Sequence, residues 1–402
     1  MPNATTRTDP SSQQKAPLWT SRFILLTLSN TLLFFGFQML LPTLPVFVSE
    51  HGGSSTEVGL VIGVLTLAAI LIRPFSGMAL DSLGRRLILN IGLLITLLAM
   101  GGFYAAASVG FVLLLRFVHG IGWGISTTTF GVIASDMIPD HRRGEGMGYF
   151  GLGTTLAMAL GPFLGLELLK AYGFGPLFLC VFGSTLLSFV CVQFAAGSEP
   201  ARAAIAGLRQ EPAASLGSRL VDRQALFPSL LVLLLGVTYG GIVGFITLFG
   251  REAGLASIGW FFLINALSVF LVRPISGKLF DQKGHVWVLL PGALFSIIGL
   301  LLLSLTASQG MLIAAAFLYG IGLGAIQPSI QAWIINRTPP SRRGAANATY
   351  FSAFDLGIGG GGMLLGIVAE QTSYALMYRY SIFFMLVFVV IYGVYILKGK
   401  RS

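Results

Sequence analysis

Apolar residues run along this chain in long blocks rather than at alternate positions, and polar residues interrupt them at fairly even intervals. A helix needs roughly 20 apolar residues to cross the hydrocarbon core of a bilayer, and twelve blocks are long enough. They fall at 22–48, 56–80, 87–107, 111–137, 145–170, 175–196, 225–249, 255–280, 286–306, 311–336, 345–370 and 375–397. The pattern predicts an all-α membrane protein with twelve transmembrane helices. The longest polar stretch between blocks, Gly197–Gln224, divides them into two groups of six. The expected organisation is a tail at 1–18, a six-helix bundle at 19–196, a linker at 197–224, a second six-helix bundle at 225–397 and a tail at 398–402. No cleavable signal peptide is expected, because the first apolar block is too long and lacks a small-residue cleavage site.

Composition narrows the class. Of 402 residues, 55% are hydrophobic and only 10% are charged, against about 25% charged in a soluble domain. That excludes a disordered chain, which needs high charge and few aromatics. It also excludes an ordinary soluble enzyme, which needs more polar surface. Cys180 and Cys191 share one apolar block and read as small buried hydrophobes, not as a disulfide framework or metal site.

The net charge of +10 acts mainly as an orientation signal. With the tails and every second loop assigned to the cytoplasm, that side collects 19 Lys and Arg and the opposite side three: Lys170, Arg251 and Arg379. This is the positive-inside pattern with both termini in the cytoplasm of a cell membrane. No nucleic-acid partner is needed to explain the basic balance.

The halves repeat each other. LIRPFSGMALDSLGRR (71–86) matches LVRPISGKLFDQKGHV (271–286) at an offset of 200, with Arg73, Pro74, Ser76, Gly77, Asp81 and Gly84 in phase with Arg273, Pro274, Ser276, Gly277, Asp281 and Gly284. Gly59 matches Gly259, and Gly120, Gly122 and Gly124 match Gly320, Gly322 and Gly324. The phase then slips by one, so that Tyr149 and Gly161 match Tyr350 and Gly362. Shared apolarity does not place Arg, Pro and Asp in phase. Parallel six-helix repeats, related by a pseudo-two-fold axis, put a substrate site between the halves near the midplane.

The loop between spans 2 and 3, Gly77-Met-Ala-Leu-Asp81-Ser-Leu-Gly84-Arg85-Arg86, resembles the G-x-L-x-D-x-x-G-R-K/R signature of the major facilitator superfamily, with Ala79 at the Leu position. Gly77 suits close helix packing and Gly84 a tight turn. The resemblance implies that this loop latches onto the end of span 4, where Asp136 precedes Pro139-Asp-His-Arg-Arg-Gly144, in a charge cluster of Asp81, Arg85 and Asp136. The second half keeps Asp281 but has His285 and Asn336 at the positions of Arg85 and Asp136, so the full cluster belongs to the first half.

Arg116-Phe-Val-His119-Gly120-Ile-Gly122 in span 4 is similar to the family's R-x-x-x-G-x-G motif. An arginine two turns inside a span is costly and points to function. In proton-coupled relatives it is implicated in proton or substrate handling; pairing with helix carbonyls is the structural alternative. His119 is either part of that site or a packed, hydrogen-bonded side chain. Gly153, Ala157, Gly161-Pro162 and Gly165 in span 5 resemble, in part, a G-x-x-x-G-P-x-x-G motif associated with antiporters, and Gly161-Pro162 is expected to kink the helix and admit a neighbour.

Asp355 is the one acidic residue placed deep in a span. A lone carboxylate in hydrocarbon is driven toward its neutral form unless a cation pairs with it, so Asp355 leads the candidates for proton carrier; a capped carboxylate is the alternative. Arg73 and Arg273, being duplicated, read as features of the fold. Asn30, Phe34 and Gln38 share a face of span 1, and Gln327 and Gln331 a face of span 10. With Tyr239 and Asn265 they either line a cavity or join helices.

No phosphate-binding loop, H-E-x-x-H pair or Cys/His cluster is present in the sequence, so neither an ATP-driven pump, a metal site nor a cofactor is expected. The resemblance spans the chain and is closest to the twelve-span drug:proton antiporter branch. It implies alternating access, a small-molecule substrate, protons and the bilayer as partners, a monomer, and no enzyme activity. Export by proton antiport is the leading expectation. Proton-coupled uptake of a sugar, amino acid or organic acid is the second, and a non-transporting sensor or scaffold the third.

Overall fold

The computed structural model describes residues 17–139, 143–195, 223–339 and 343–399. The described residues form twelve long helices: α1 (Ser21–Glu50), α2 (Ser55–Leu83), α3 (Arg85–Phe103), α4 (Val109–Met137), α5 (Arg143–Tyr172), α6 (Phe174–Ala195), α7 (Leu226–Glu252), α8 (Gly259–Lys283), α9 (Val286–Ser304), α10 (Gln309–Arg337), α11 (Arg343–Gln371) and α12 (Tyr374–Gly399). All twelve contain a stretch long and apolar enough to span a bilayer. Most of the expected linker and tails lies outside the described residues.

Local chemistry fixes the ends. Ser54 and Glu57 close a capping box at the start of α2. Ser108 and Ser308, 200 positions apart, accept from the backbone N–H of Phe111 and Met311 at 3.3 Å. These caps correct the expected boundaries of spans 3 and 9. Both helices stop short, at Phe103 and Ser304, because the chain must turn before it reaches the capping serine. Gly84 and Gly284 adopt φ of 90° and 82°, a conformation that side-chain-bearing residues rarely take. Gly84 alone separates α2 from α3, and Gly284 with His285 separates α8 from α9.

Packing repeats with the sequence. Within the first half α1 packs on α5 and α6, α2 on α4, and α3 on α4 and α6. Within the second half α7 packs on α11 and α12, α8 on α10, and α9 on α10 and α12. Between the halves α2 packs on α11 and α8 on α5, which are equivalent pairs under the repeat. α7 and α1 are the most buried spans. Large apolar side chains such as Leu98, Phe194, Phe270 and Phe383 face outward, as a lipid solvent allows. With twelve spans both termini emerge at one end, here the terminal end; the opposite end is the distal end.

Candidate functional site

The seam between the halves is built on glycine. A Cβ at Gly59 of α2 would strike the backbone carbonyl of Gly362 on α11, and one at Gly359 would come within 2.7 Å of the Thr66 side chain. Missing side chains thus let two helices from different halves meet backbone to backbone. Toward the distal end the seam gains polar ties. Arg251 pairs with Glu50 at 2.6 Å. The Thr56 N–H donates to Glu370 at 2.9 Å, and Lys170 donates to the carbonyl of Ala256 at 3.2 Å. Phe163 and Trp260 meet edge to face.

Midway along α11 the seam carries its innermost charges. Arg73 donates to Asp355 at 3.0 Å, with 27% and 31% of the two side chains exposed. This pair lies nearer the terminal end than the ties of Arg251, Thr56 and Lys170. It corrects two expectations. Asp355 is not a lone carboxylate, because the other half supplies its cation. Arg73 is not merely a duplicated fold feature, since its repeat mate Arg273 has no ion pair among the described residues and its buried Nε has no hydrogen-bond partner there. Tyr350, whose hydroxyl donates to the Gln327 carbonyl at 3.0 Å, also feels Asp355. Tyr239 stacks at 6.2 Å on Phe354, the neighbour of Asp355.

Arg116 and His119 form a second, separate group. Both are buried in the first half. Arg116 Nη1 donates to His119 Nδ1 at 3.3 Å, which leaves the proton of a neutral imidazole on Nε2. The guanidinium lies 5.9 Å from the Phe103 ring, and His119 stands edge-on to Phe37. Arg116 Nε and Nη2 and His119 Nε2 have no hydrogen-bond partner, an arrangement costly for a purely structural role. Arg116 and Asp355, both candidates for handling protons or substrate charge, each have their own partner.

Near the terminal end Arg85, at the start of α3, pairs with Asp136 on the last turn of α4. The side chain of Asp81 and the surroundings of Gly77 lie outside the described residues.

The expected lining residues divide. Asn30 and Gln38 are buried, at 2% and 4% exposed; Phe34 packs on Trp123, and Gln38 meets α5 at Gly161, where a Cβ would come within 2.6 Å of it. Gly161 therefore seats α5 on α1. Asn265 is helix glue, donating to the Ala316 carbonyl at 3.4 Å. Tyr239, Gln327 and Gln331 are half-buried, and Tyr239 and Gln327 border the Asp355 group. Sequence reasoning did not single out Phe354 or assign Tyr350 a role. Their signal was adjacency to Asp355 and the phase match of Tyr350 with Tyr149.

Known proteins share this architecture. The Staphylopine export protein of Staphylococcus aureus (strain Mu50) is 23% identical over 365 residues, covering 87% of this chain and 89% of that protein. The Multi-drug resistance efflux pump PmrA of Streptococcus pneumoniae serotype 4 is 26% identical over 353 residues, covering 84% and 86%. Multidrug resistance protein MdtG of Salmonella typhi is 27% identical over 316 residues, covering 74% and 76%. The nucleoside transporter NupG superposes with a TM-score of 0.72 at 15% identity over 93% of this chain and 99% of that one. A bacterial homolog of the lysosomal transporter Spinster, in an inward-facing and unoccupied conformation, gives 0.73 at 17% identity over 96% and 98%. The sequence profile described as Major Facilitator Superfamily matches residues 26–282 and 251–401. With the profile spanning nearly the whole chain and two six-helix halves joined through equivalent helix pairs, the chain belongs to the Major Facilitator Superfamily and is a membrane transporter.

Proposed function

We propose that the protein exports a small amphipathic molecule or metabolite in exchange for protons, by alternating access, with both termini in the cytoplasm of the cell membrane. The observation that carries this reading is the Arg73–Asp355 pair across the seam. A proton on Asp355 removes one of the two charges and with it a tie between the halves. Protonation therefore biases the balance between closed and open arrangements, which is what coupling requires. Arg116 and His119 handle charge inside the first half. The export direction is supported by relatives named as an export protein and efflux pumps.

The test is efflux from substrate-loaded vesicles of defined orientation under an imposed pH gradient, with ethidium as the first amphipathic probe and a chemically diverse panel after it. Substrate should leave as protons enter. Uptake driven by the same gradient would replace antiport by symport, and no substrate-dependent proton flux with any probe would remove transport coupling altogether.

The Asp81–Arg85–Asp136 cluster serves, in this reading, to hold the terminal side shut when the distal side opens. The Arg85–Asp136 pair is exposed at 40% and 41%, where an ion pair contributes only about 0–1 kcal/mol to stability. Arg85→Ala should thus leave surface expression and melting temperature near wild type while lowering transport several-fold. Normal transport in that variant would remove the latch role.

A further inference from the structure

At the terminal end of the second half the repeat has lost its acid: Asn336 stands where the first half has Asp136. His285, in place of Arg85, stacks on Trp333 at 4.3 Å, and its Nδ1 bonds the Tyr392 hydroxyl. Burial, then the charge of Arg337, holds this imidazole below its ordinary range. Beside it Arg337, at the end of α10, donates Nη1 to the Tyr395 hydroxyl at 2.7 Å. Its guanidinium also lies 5.8 Å from the Trp333 ring. Phe227 stacks on Tyr395 at 4.4 Å. Gln224, Arg337 and Tyr395 line a half-open cavity of about 430 Å³. Two further exposed cations flank it: Arg223 precedes Gln224, and Lys398 lies one turn beyond Tyr395 on the same side of α12. Among the described residues none of the three cations pairs with a carboxylate. Close in sequence to the lining residues, Leu226 is exposed, and so is Val394, one turn before Lys398 on α12.

We infer that this cavity binds the phosphate headgroup of an anionic phospholipid, with acyl chains lying along Leu226 and Val394. The guanidinium fork matches phosphate geometry, and Tyr395 fixes one arm of the fork, the one hydrogen bond Arg337 makes among the described residues. A free phosphate ion would satisfy the cations but leave the apolar flank without a partner, whereas a lipid meets both. The first half has no equivalent, because Met137 stands there in the place of Arg337. The site is independent of the direction and coupling of transport.

Native mass spectrometry of the full-length protein with added dioleoylphosphatidylglycerol tests the site. Each Lys or Arg near the surface contributes about 1 kcal/mol to anionic-lipid binding, a roughly fivefold change in affinity. The expected result is lipid retained by wild type and by Arg379→Gln, a cation at the distal end, and bound at least fivefold more weakly by Arg337→Gln. Lys398→Gln, at the exposed end of α12, should give a similar loss and serves if the first variant folds poorly. Wild-type retention in both Arg337→Gln and Lys398→Gln would overturn the site. Equal retention of dioleoylphosphatidylcholine, or release of the lipid by sodium phosphate at about 0.01 M, where a Debye length of about 30 Å leaves charges little screened, would overturn the lipid assignment.

Discussion

Asp355→Asn should reduce pH-gradient-driven transport to the background of protein-free vesicles while the protein still reaches the membrane. The amide matches the carboxylate in shape but cannot exchange a proton, so the step that loosens the seam is lost. It also leaves the Arg73 guanidinium without its counter-charge. Removing one partner of a buried pair is destabilising because the remaining charge is uncompensated, and at about a third exposed the loss here is smaller than for a fully dry pair. The double variant Arg73→Gln/Asp355→Asn separates the two effects. It should regain thermal stability relative to Asp355→Asn but not proton coupling. Intact pH-driven transport in Asp355→Asn would sink the assignment of Asp355, whatever the stability data show.

A second large effect is expected at the glycine seam. A side chain at Gly59 meets backbone, which cannot rotate away as a side chain can. Gly59→Val must push α2 and α11 apart. Overpacking of this kind costs about 1–3 kcal/mol. Placed wholly on the closed distal arrangement, it shifts the closed–open balance by about 5- to 150-fold. Ile62 is 3% exposed and packs near Gly244 and Gly362 across the seam, so Ile62→Cys in a background lacking Cys180 and Cys191 makes a reporter. Its labelling by a polar thiol reagent should accelerate by that factor when Gly59→Val is added. An unchanged rate would mean that the seam does not control distal closure.

The span count and the two-fold repeat were legible in the sequence because both are written locally. Apolar length defines a span, and Arg, Pro, Asp and Gly recur in phase where shared hydrophobicity alone would not place them. Arg116 was conspicuous for the same reason, and its partner His119 lies one turn away. The partner of Asp355 was not legible. Arg73 is 282 positions distant, and its duplication in Arg273 hid the fact that only one copy reaches across the seam. The orientation of Asn30 and Gln38 was hidden for another reason. α1 is enclosed by neighbours on most sides, so its sequence carries no apolar stripe to show which face is inward.

The unequal ties at the terminal end give the two halves different responses to their solution. The first half joins its second-to-third helix turn to α4 through an exposed ion pair, Arg85–Asp136. The second joins the equivalent turn to α10 and α12 through a ring stack and an imidazole–phenol bond. Salt screens exposed charges over a Debye length of about 8 Å at physiological ionic strength and about 3 Å at 1 M, but leaves stacked rings nearly untouched. Rising ionic strength therefore softens the first half while the second keeps its shape. A fold that is two-fold symmetric in geometry is thus lopsided in its sensitivity to salt.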